Sequence, residues 1–206
     1  ARPGEAPRTL VDSYQGRPLT SPNDVVVKSD GSIWFTDPDY GSLVQDQGHG
    51  QAPEQDRNRV YRLDVSTGEL EAVADDFDKP NGLAFSPDES RLYIGDSGRT
   101  HGEDRPHHVR AFDVVDGRKL SGGSVLCEVT PHVPDGMRVD REGNLFVTAG
   151  DGVQVFNSSG DMLGKLLTPE VAANCCFGMP DRQTLFICAT SAVWAVRLNT
   201  SGAYPF

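Results

Sequence analysis

The chain has 206 residues and a net charge of −11, which argues against a nucleic-acid partner, because gripping phosphates requires a basic face that the sequence does not supply. Hydrophobic residues make up 37%, with 22 glycines and 14 prolines, a composition that favours a turn-rich β protein over a helical one. No apolar run approaches about 18 residues, so no membrane-spanning helix is expected.

Residues 1–20 are polar, with one short strand candidate at Arg8-Thr9-Leu10-Val11. A first unit, about 22–76, then reads as strands Val25–Val27, Ile33–Thr36, Val60–Asp64 and Glu69–Val73. Ser29-Asp30-Gly31 and Ser66-Thr67-Gly68 mark its tight turns, since Asp and Gly tolerate the backbone angles that turns require. A second unit, about 80–129, holds Asn81–Phe85, Leu92–Gly95, Val109–Asp113 and Ser124–Val129. The third, about 134–168, is compact: Met137–Val139, Leu145–Thr148, Val153–Asn157 and Met162–Leu167. The fourth, about 174–198, has three strands and closes with Val193–Arg197. Four cysteines, two of them adjacent (Cys175 and Cys176), form no CxxC spacing and no disulfide framework. Three of the four lie in apolar strand-like contexts, where buried free thiols are expected.

Units of roughly 40–58 residues, each with short antiparallel strands, are the mark of a β-propeller. The chain is therefore expected to be all-β, a single propeller domain over 1–206. Each unit also opens alike: Pro22-Asn23-Asp24, Pro80-Asn81-Gly82, Pro134-Asp135-Gly136 and, more weakly, Ala173-Asn174-Cys175. In a blade the first strand lines the central channel, and the start of strand one lies on the same face as the loop joining strands two and three. Asn23, Asn81, Asp135 and Asn174 are thus expected around one channel mouth. Asp24, and Asp37 and Asp96 at the ends of second strands, are placed on the same rim. Two long insertions, 38–58 and 97–108, are expected to wall it.

A mouth lined by amide and carboxylate oxygens suits Ca2+ or a similar hard divalent ion. The alternative is that each Asn or Asp merely caps the turn into its strand; repetition at the same blade position favours a shared site for Asn81 and Asp135, and leaves Asn174 open. His107 and His108 are adjacent and poorly placed to share one ion, and His49 and His132 carry less weight. There is no GxSxG elbow, HExxH pair or Gly-rich phosphate loop, so serine hydrolysis has no support.

These residues resemble the gluconolactonase / senescence-marker-protein-30 / luciferin-regenerating-enzyme-like family, in its bacterial gluconolactonase-like branch. The resemblance rests on Ser21–Val27 with Gly31–Pro38, on Pro80–Asp88, and on Pro134–Met137 with Gly143–Leu145, and covers most of residues 8–198. It implies a six-bladed propeller, of which about four blades are present here, with one divalent metal ion in its channel and hydrolysis of sugar-acid lactones. By residue, the resemblance implies Asn81 and Asp135 as metal ligands, Asp135 also as general base, and Asn23 as a contact to metal and substrate. A family Glu ligand in a Glu-Gly-Pro motif has no counterpart, Gly4-Glu5-Ala6-Pro7 lying elsewhere, and a substrate-contacting Arg is replaced by Ser21. At about 45 residues per blade, roughly 90 residues are expected upstream.

The expected function is thus metal-dependent opening of a gluconolactone-type ring, with Ca2+ the first choice and Zn2+, Mg2+ or Mn2+ as alternatives. A non-catalytic propeller binding a protein or carbohydrate, and a related esterase or aryl-lactonase, are the competing readings. The partner is a small-molecule lactone, with no nucleic acid and no membrane. The compartment is cytoplasmic, or periplasmic or secreted if a leader was removed.

Overall fold

The computed structural model describes residues 4–43 and 52–203. A two-stranded hairpin, β1 (Ser13–Tyr14) and β2 (Arg17–Pro18), precedes the blades. The expected strand at residues 8–11 does not form; those four residues are largely exposed and unpaired. Blade 1 is β3 (Val25–Val27), β4 (Ile33–Asp37), β5 (Arg59–Asp64) and β6 (Glu69–Ala74), hydrogen-bonded in that order and antiparallel. A short helix, α1 (Tyr40–Leu43), follows β4 inside the 38–58 insertion; residues 44–51, His49 among them, lie outside the described residues.

Blade 2 is β7 (Pro80–Phe85), β8 (Arg91–Asp96), β9 (His108–Val115) and β10 (Lys119–Glu128), with a single 3-10 turn, Gly98–His101, in its insertion. Blade 3 is β11 (Met137–Val139), β12 (Leu145–Ala149), β13 (Gly152–Phe156) and β14 (Met162–Leu167). Three strands complete the chain: β15 (Ala172–Gly178), β16 (Thr184–Ala189) and β17 (Val193–Arg197). The arrangement is the expected β-propeller, nearly all β, with four blades. Among the described residues no helix is long and apolar enough to cross a membrane.

One turn chemistry recurs between first and second strands. Asp30 Oδ1 accepts from the Ser32 amide and hydroxyl, Asp88 Oδ1 from the amide and hydroxyl of Ser90, and Asp140 Oδ1 from the amides of Glu142 and Asn144. A short acceptor that bonds its own backbone two residues on closes the turn and fixes the register of the pair it joins. In blade 1 that register sets Val27 opposite Ile33 and Val25 opposite Phe35.

Successive blades are joined by apolar clusters. Trp34, fully buried, stands edge-on to Phe85 with ring centroids 5.4 Å apart, joining blades 1 and 2 with Leu83, Leu92 and Ile94. Tyr93, Val109, Met137 and Val147 join blades 2 and 3, and Phe146, Val153, Cys175 and Leu185 join blades 3 and 4. Each fully buried side chain of this size contributes about 1.5–3 kcal/mol. Cys127 and Cys175 are buried free thiols, as expected, and burial pushes each thiol up to about 12. Cys176 and Cys188 depart from that reading: Cys188 pairs with Asn174 and Cys176 with Phe186, which puts both cysteines on the open face of the sheet, opposite Cys175. Val25 on β3 and Trp194 on β17 are likewise 54% and 43% exposed.

Candidate active site

The start of each inner strand is held by its neighbour in a way the sequence only half reveals. In blade 2, Pro80 pairs with Asp96, and the register then shifts before Leu83 meets Ile94. The irregularity falls at Asn81 and Gly82, and an extra residue in a ladder re-aims its side chain. The Asp96 carboxylate, 2% exposed, accepts the amides of Asp78 and Lys79, each at 2.9 Å. Blade 1 repeats the device: Asp37 accepts the amides of Thr20 at 3.0 Å and Ser21 at 2.7 Å. Burial pushes the Asp37 carboxyl up in spite of those donors. Asp37 and Asp96, expected on the rim, therefore clip backbone and do not line the cavity described below: Asp37 accepts two amides and Asp96 three, Gly98 at 3.2 Å being the third.

Glycine then lets adjacent inner strands close in. A Cβ on Gly82 would lie 2.1 Å from the carbonyl oxygen of Asp135, and one on Gly136 would lie 2.3 Å from the Asn174 side chain. Only a residue with no side chain permits that approach, and it carries Asn81 and Asp135, from neighbouring blades, to one place.

Asn23, Asn81 and Asp135 line a single cavity of about 510 Å³, with Ser21, Tyr40, Thr100, His132 and Val133 among the other walls. Asn174 does not line it: its Oδ1 accepts the Cys175 amide at 2.8 Å and its side chain packs over Gly136. Asn174 thus sits inside β15, paired with Cys188, with its side-chain oxygen on its own strand's backbone. Asp24 lies alongside, with Oδ1 on the Val25 amide at 2.8 Å and a buried Oδ2 that has no hydrogen-bond partner. Burial pushes its carboxyl up, against the pull of the Arg138 guanidinium. His107 bonds the Val129 carbonyl oxygen through Nδ1 at 2.8 Å, and burial pulls His108 down; neither reaches the cavity.

Two wall residues, Tyr40 and Thr100, were not weighed from the sequence, and a third, His132, was given little weight. Tyr40 is carried by α1, Thr100 by the 3-10 turn, and His132 sits in a left-handed conformation, φ 74°, three residues before Asp135. Each lies in or beside a stretch marked as insertion or strand approach, so the signal was position along the chain rather than residue type.

The electrostatics of the cavity ask for positive charge. Burial pushes the Asp135 carboxyl up to about 7, the nearby Asp24 charge adds to this, and hydrogen bonding from the Asn81 amide opposes both. Asn81 is 6% exposed, and its buried Oδ1 accepts no hydrogen bond. Leaving such an acceptor unpaired costs about 1–3 kcal/mol, which a cation or a donor placed there would recover. Among the described residues no cluster of three or more His, Cys, Asp and Glu side chains is set to hold an ion. A cation here would draw on amide oxygens as well as on Asp135, a donor set that fits a hard ion.

A family model described as the SMP-30/gluconolactonase/LRE-like region matches residues 4–192. The gluconolactonase of Zymomonas mobilis is 35% identical over 198 residues, which cover 94% of this chain and 54% of that protein. Lactonohydrolase oryL of Aspergillus oryzae is 30% identical over 215 residues, covering 96% of this chain and 48% of the relative. Among solved structures, a gluconolactonase of Xanthomonas campestris superposes with a TM-score of 0.88 at 40% identity, over 96% of this chain and 63% of that one. The chain spans about half the length of the curated relatives it matches.

Proposed function

The chain belongs to the SMP-30/gluconolactonase/LRE-like family, and from that premise we propose that this protein hydrolyses the lactone of a sugar acid with the help of one divalent cation, Ca2+ in the first place. The observation that carries the proposal is the buried, unpaired Oδ1 of Asn81 beside the Asp135 carboxylate in one open cavity. Relatives named gluconolactonase and lactonohydrolase support the reaction class.

Asn81 through Oδ1 and Asp135 through its carboxylate would hold the cation, and Asn23, which lines the same cavity, would hold cation or substrate. Bound there, a divalent cation polarises a ring carbonyl and favours negative charge on its oxygen. The chain's own part is to orient and to move a proton. Asp135 accepts at a carboxylate oxygen the proton of the water that attacks the carbonyl carbon. The ester C–O bond then breaks, and the proton passes to the departing ring oxygen, giving a hydroxy acid. Asn81, 6% exposed, is largely shielded from bulk water that would compete for its contact.

Asp135→Asn and Asn81→Ala test the assignment when metal content and gluconolactone opening are measured together. Both variants should lose bound divalent ion and fall by at least about 10²-fold in kcat/KM. Full ion content with full turnover in both would remove these residues from the site.

A further inference from the structure

The part of the cavity wall that α1 supplies is held by several side-chain bonds. α1 is pinned at its start from two directions. The Ser21 hydroxyl donates to the Pro38 carbonyl oxygen at 2.5 Å and accepts the Gly41 amide at 3.0 Å. From the other side, Lys79, 5% exposed, places its ammonium 2.6 Å from Asp39 Oδ1, and Asn58 Nδ2 donates to that same oxygen at 3.4 Å. Lys79 stands directly before Pro80-Asn81, so the residue that follows Asp39 is tied to the strand that carries the proposed ligand. That residue is Tyr40, and it lines the cavity with Asn81 and Asp135.

Tyr40 is held but not saturated. Its ring lies 5.6 Å from the His101 ring at an interplanar angle of 40°. Its hydroxyl lies 3.3 Å from Thr100 Oγ1 and 3.4 Å from the Ser97 carbonyl oxygen, both long for an O–H···O bond. The Thr100 hydroxyl has better partners of its own, the Ser97 carbonyl oxygen and His101 Nδ1, each at 2.8 Å. The phenol is thus loosely bonded at the mouth of a polar cavity and can exchange those contacts for a ligand hydroxyl at little cost.

Resting on the lactonase reading, we propose that Tyr40 selects for polyhydroxylated lactones by offering its hydroxyl and ring to the substrate's hydroxyl-bearing carbons, and that Lys79 is a positioning residue acting on Tyr40 through Asp39. An aromatic ring with a polar tip matches a ligand that is apolar on its C–H face and wet at its rim. An ion pair whose ammonium is buried fixes the geometry of what it joins, and the second carboxylate near Lys79, Asp78 Oδ1, is farther off at 3.8 Å.

The test uses the full-length protein and two substrates, D-glucono-δ-lactone and the bare ring δ-valerolactone. Tyr40→Phe should raise KM for gluconolactone about 3–10-fold, the worth of one hydrogen bond, with kcat within about 2-fold and no change on valerolactone. Tyr40→Ala should widen the same split. Lys79→Met should reproduce the Tyr40→Ala split and Lys79→Arg should restore it in part, with Asp39→Asn reporting on the same contact if Lys79→Met fails to fold. Equal losses on both substrates, or none, would overturn the assignment of Tyr40. A Lys79→Met protein that folds and keeps the wild-type split would overturn that of Lys79. D-gluconate binding measured by calorimetry separates this inference from its premise. A wild-type protein that opens neither lactone, yet loses gluconate affinity on Tyr40→Ala, sinks the hydrolysis reading and keeps Tyr40's role. Hydrolysis of both lactones with gluconate affinity indifferent to Tyr40 does the reverse.

Discussion

Gly82→Ala puts one methyl group where two inner strands meet. The backbone at Gly82 is not left-handed, so alanine meets no conformational strain there; what it meets is space. Its Cβ would stand 2.1 Å from the Asp135 carbonyl oxygen and 3.0 Å from both the Asp135 carbonyl carbon and Gly136 Cα. Restoring ordinary contact with that oxygen requires a retreat of about 1.3 Å, and the neighbours are backbone rather than the yielding end of a side chain. Overpacking of this kind costs about 1–3 kcal/mol, reduced by about 0.4–1 kcal/mol because alanine restricts the unfolded chain. The effect on turnover should be larger than that on stability. Asp135 moves with its own carbonyl group, and if it is the base proposed above, a misplacement of about 1 Å costs about 10²-fold, or about 2.7 kcal/mol of transition-state stabilisation. Urea denaturation and gluconolactone kinetics on the same preparation separate the two effects. Gly164→Ala is the control: that glycine has no atom within 4 Å of an added Cβ, and stability should stay within about 0.5 kcal/mol of wild type. A Gly82→Ala protein with wild-type kcat/KM and wild-type midpoint would show that the approach of the two strands does not position Asp135.

Two further substitutions probe the frame around the site. Asp96→Asn replaces one of two carboxylate acceptors with a donor opposite the Asp78 or Lys79 amide; the urea midpoint should report a loss of about 1–3 kcal/mol, with Asp37→Asn giving a comparable loss from blade 1. No change in either would mean that these carboxylates do not carry the turns they contact. Glu89 ties blade 2 to blade 1 by accepting the Ser29 amide at 2.7 Å and hydroxyl at 2.5 Å, with the Lys28 ammonium at 3.1 Å. Burial pushes its carboxyl up, but the Ser29 donors and Lys28 outweigh burial and hold it below the ordinary 4.5. A folded value below the unfolded one means that the contribution is present in full above pH 4.5 and fades as pH falls through the folded value. Glu89→Gln should therefore cost about 1–2 kcal/mol at pH 7 and progressively less on acidification; a gap between variant and wild type that is constant with pH would refute the linkage.

The blades were legible because their strands are written in Val, Ile, Trp and Phe between Asp-Gly or Asp-Glu turns, and Trp34 or Leu92 can satisfy such a pattern only in a sheet. The helix α1 and the 3-10 turn were not legible, since four residues are too short to show a helical period. The residue types of the site were visible, but not their commitments. Asn81 and Asn174 occupy the same place in their repeats, and only coordinates show that one oxygen is unpaired while the other accepts its own strand's amide. The same holds for Asp135, lining the cavity, against Asp96, which accepts three backbone amides. Tyr40 and Thr100 escaped, and His132 was discounted, because they come from three separate connections, and nothing in sequence spacing brings residues 40, 100 and 132 to one wall.

That division has a consequence for how the protein can change. Asn81 and Asp135 are fixed to inner strands whose spacing is set by glycine and can tolerate little. The wall at Tyr40, Thr100 and His132 hangs on loops, and loops accept substitution and insertion far more readily than strands. A library randomised at positions 40, 100 and 132 should therefore yield folded proteins with altered ring preference at high frequency, while one at 80–82 or 134–136 should yield mostly inactive ones. On the proposed roles, chemistry and selectivity would be inherited on separate parts of the chain, and the second could drift without the first.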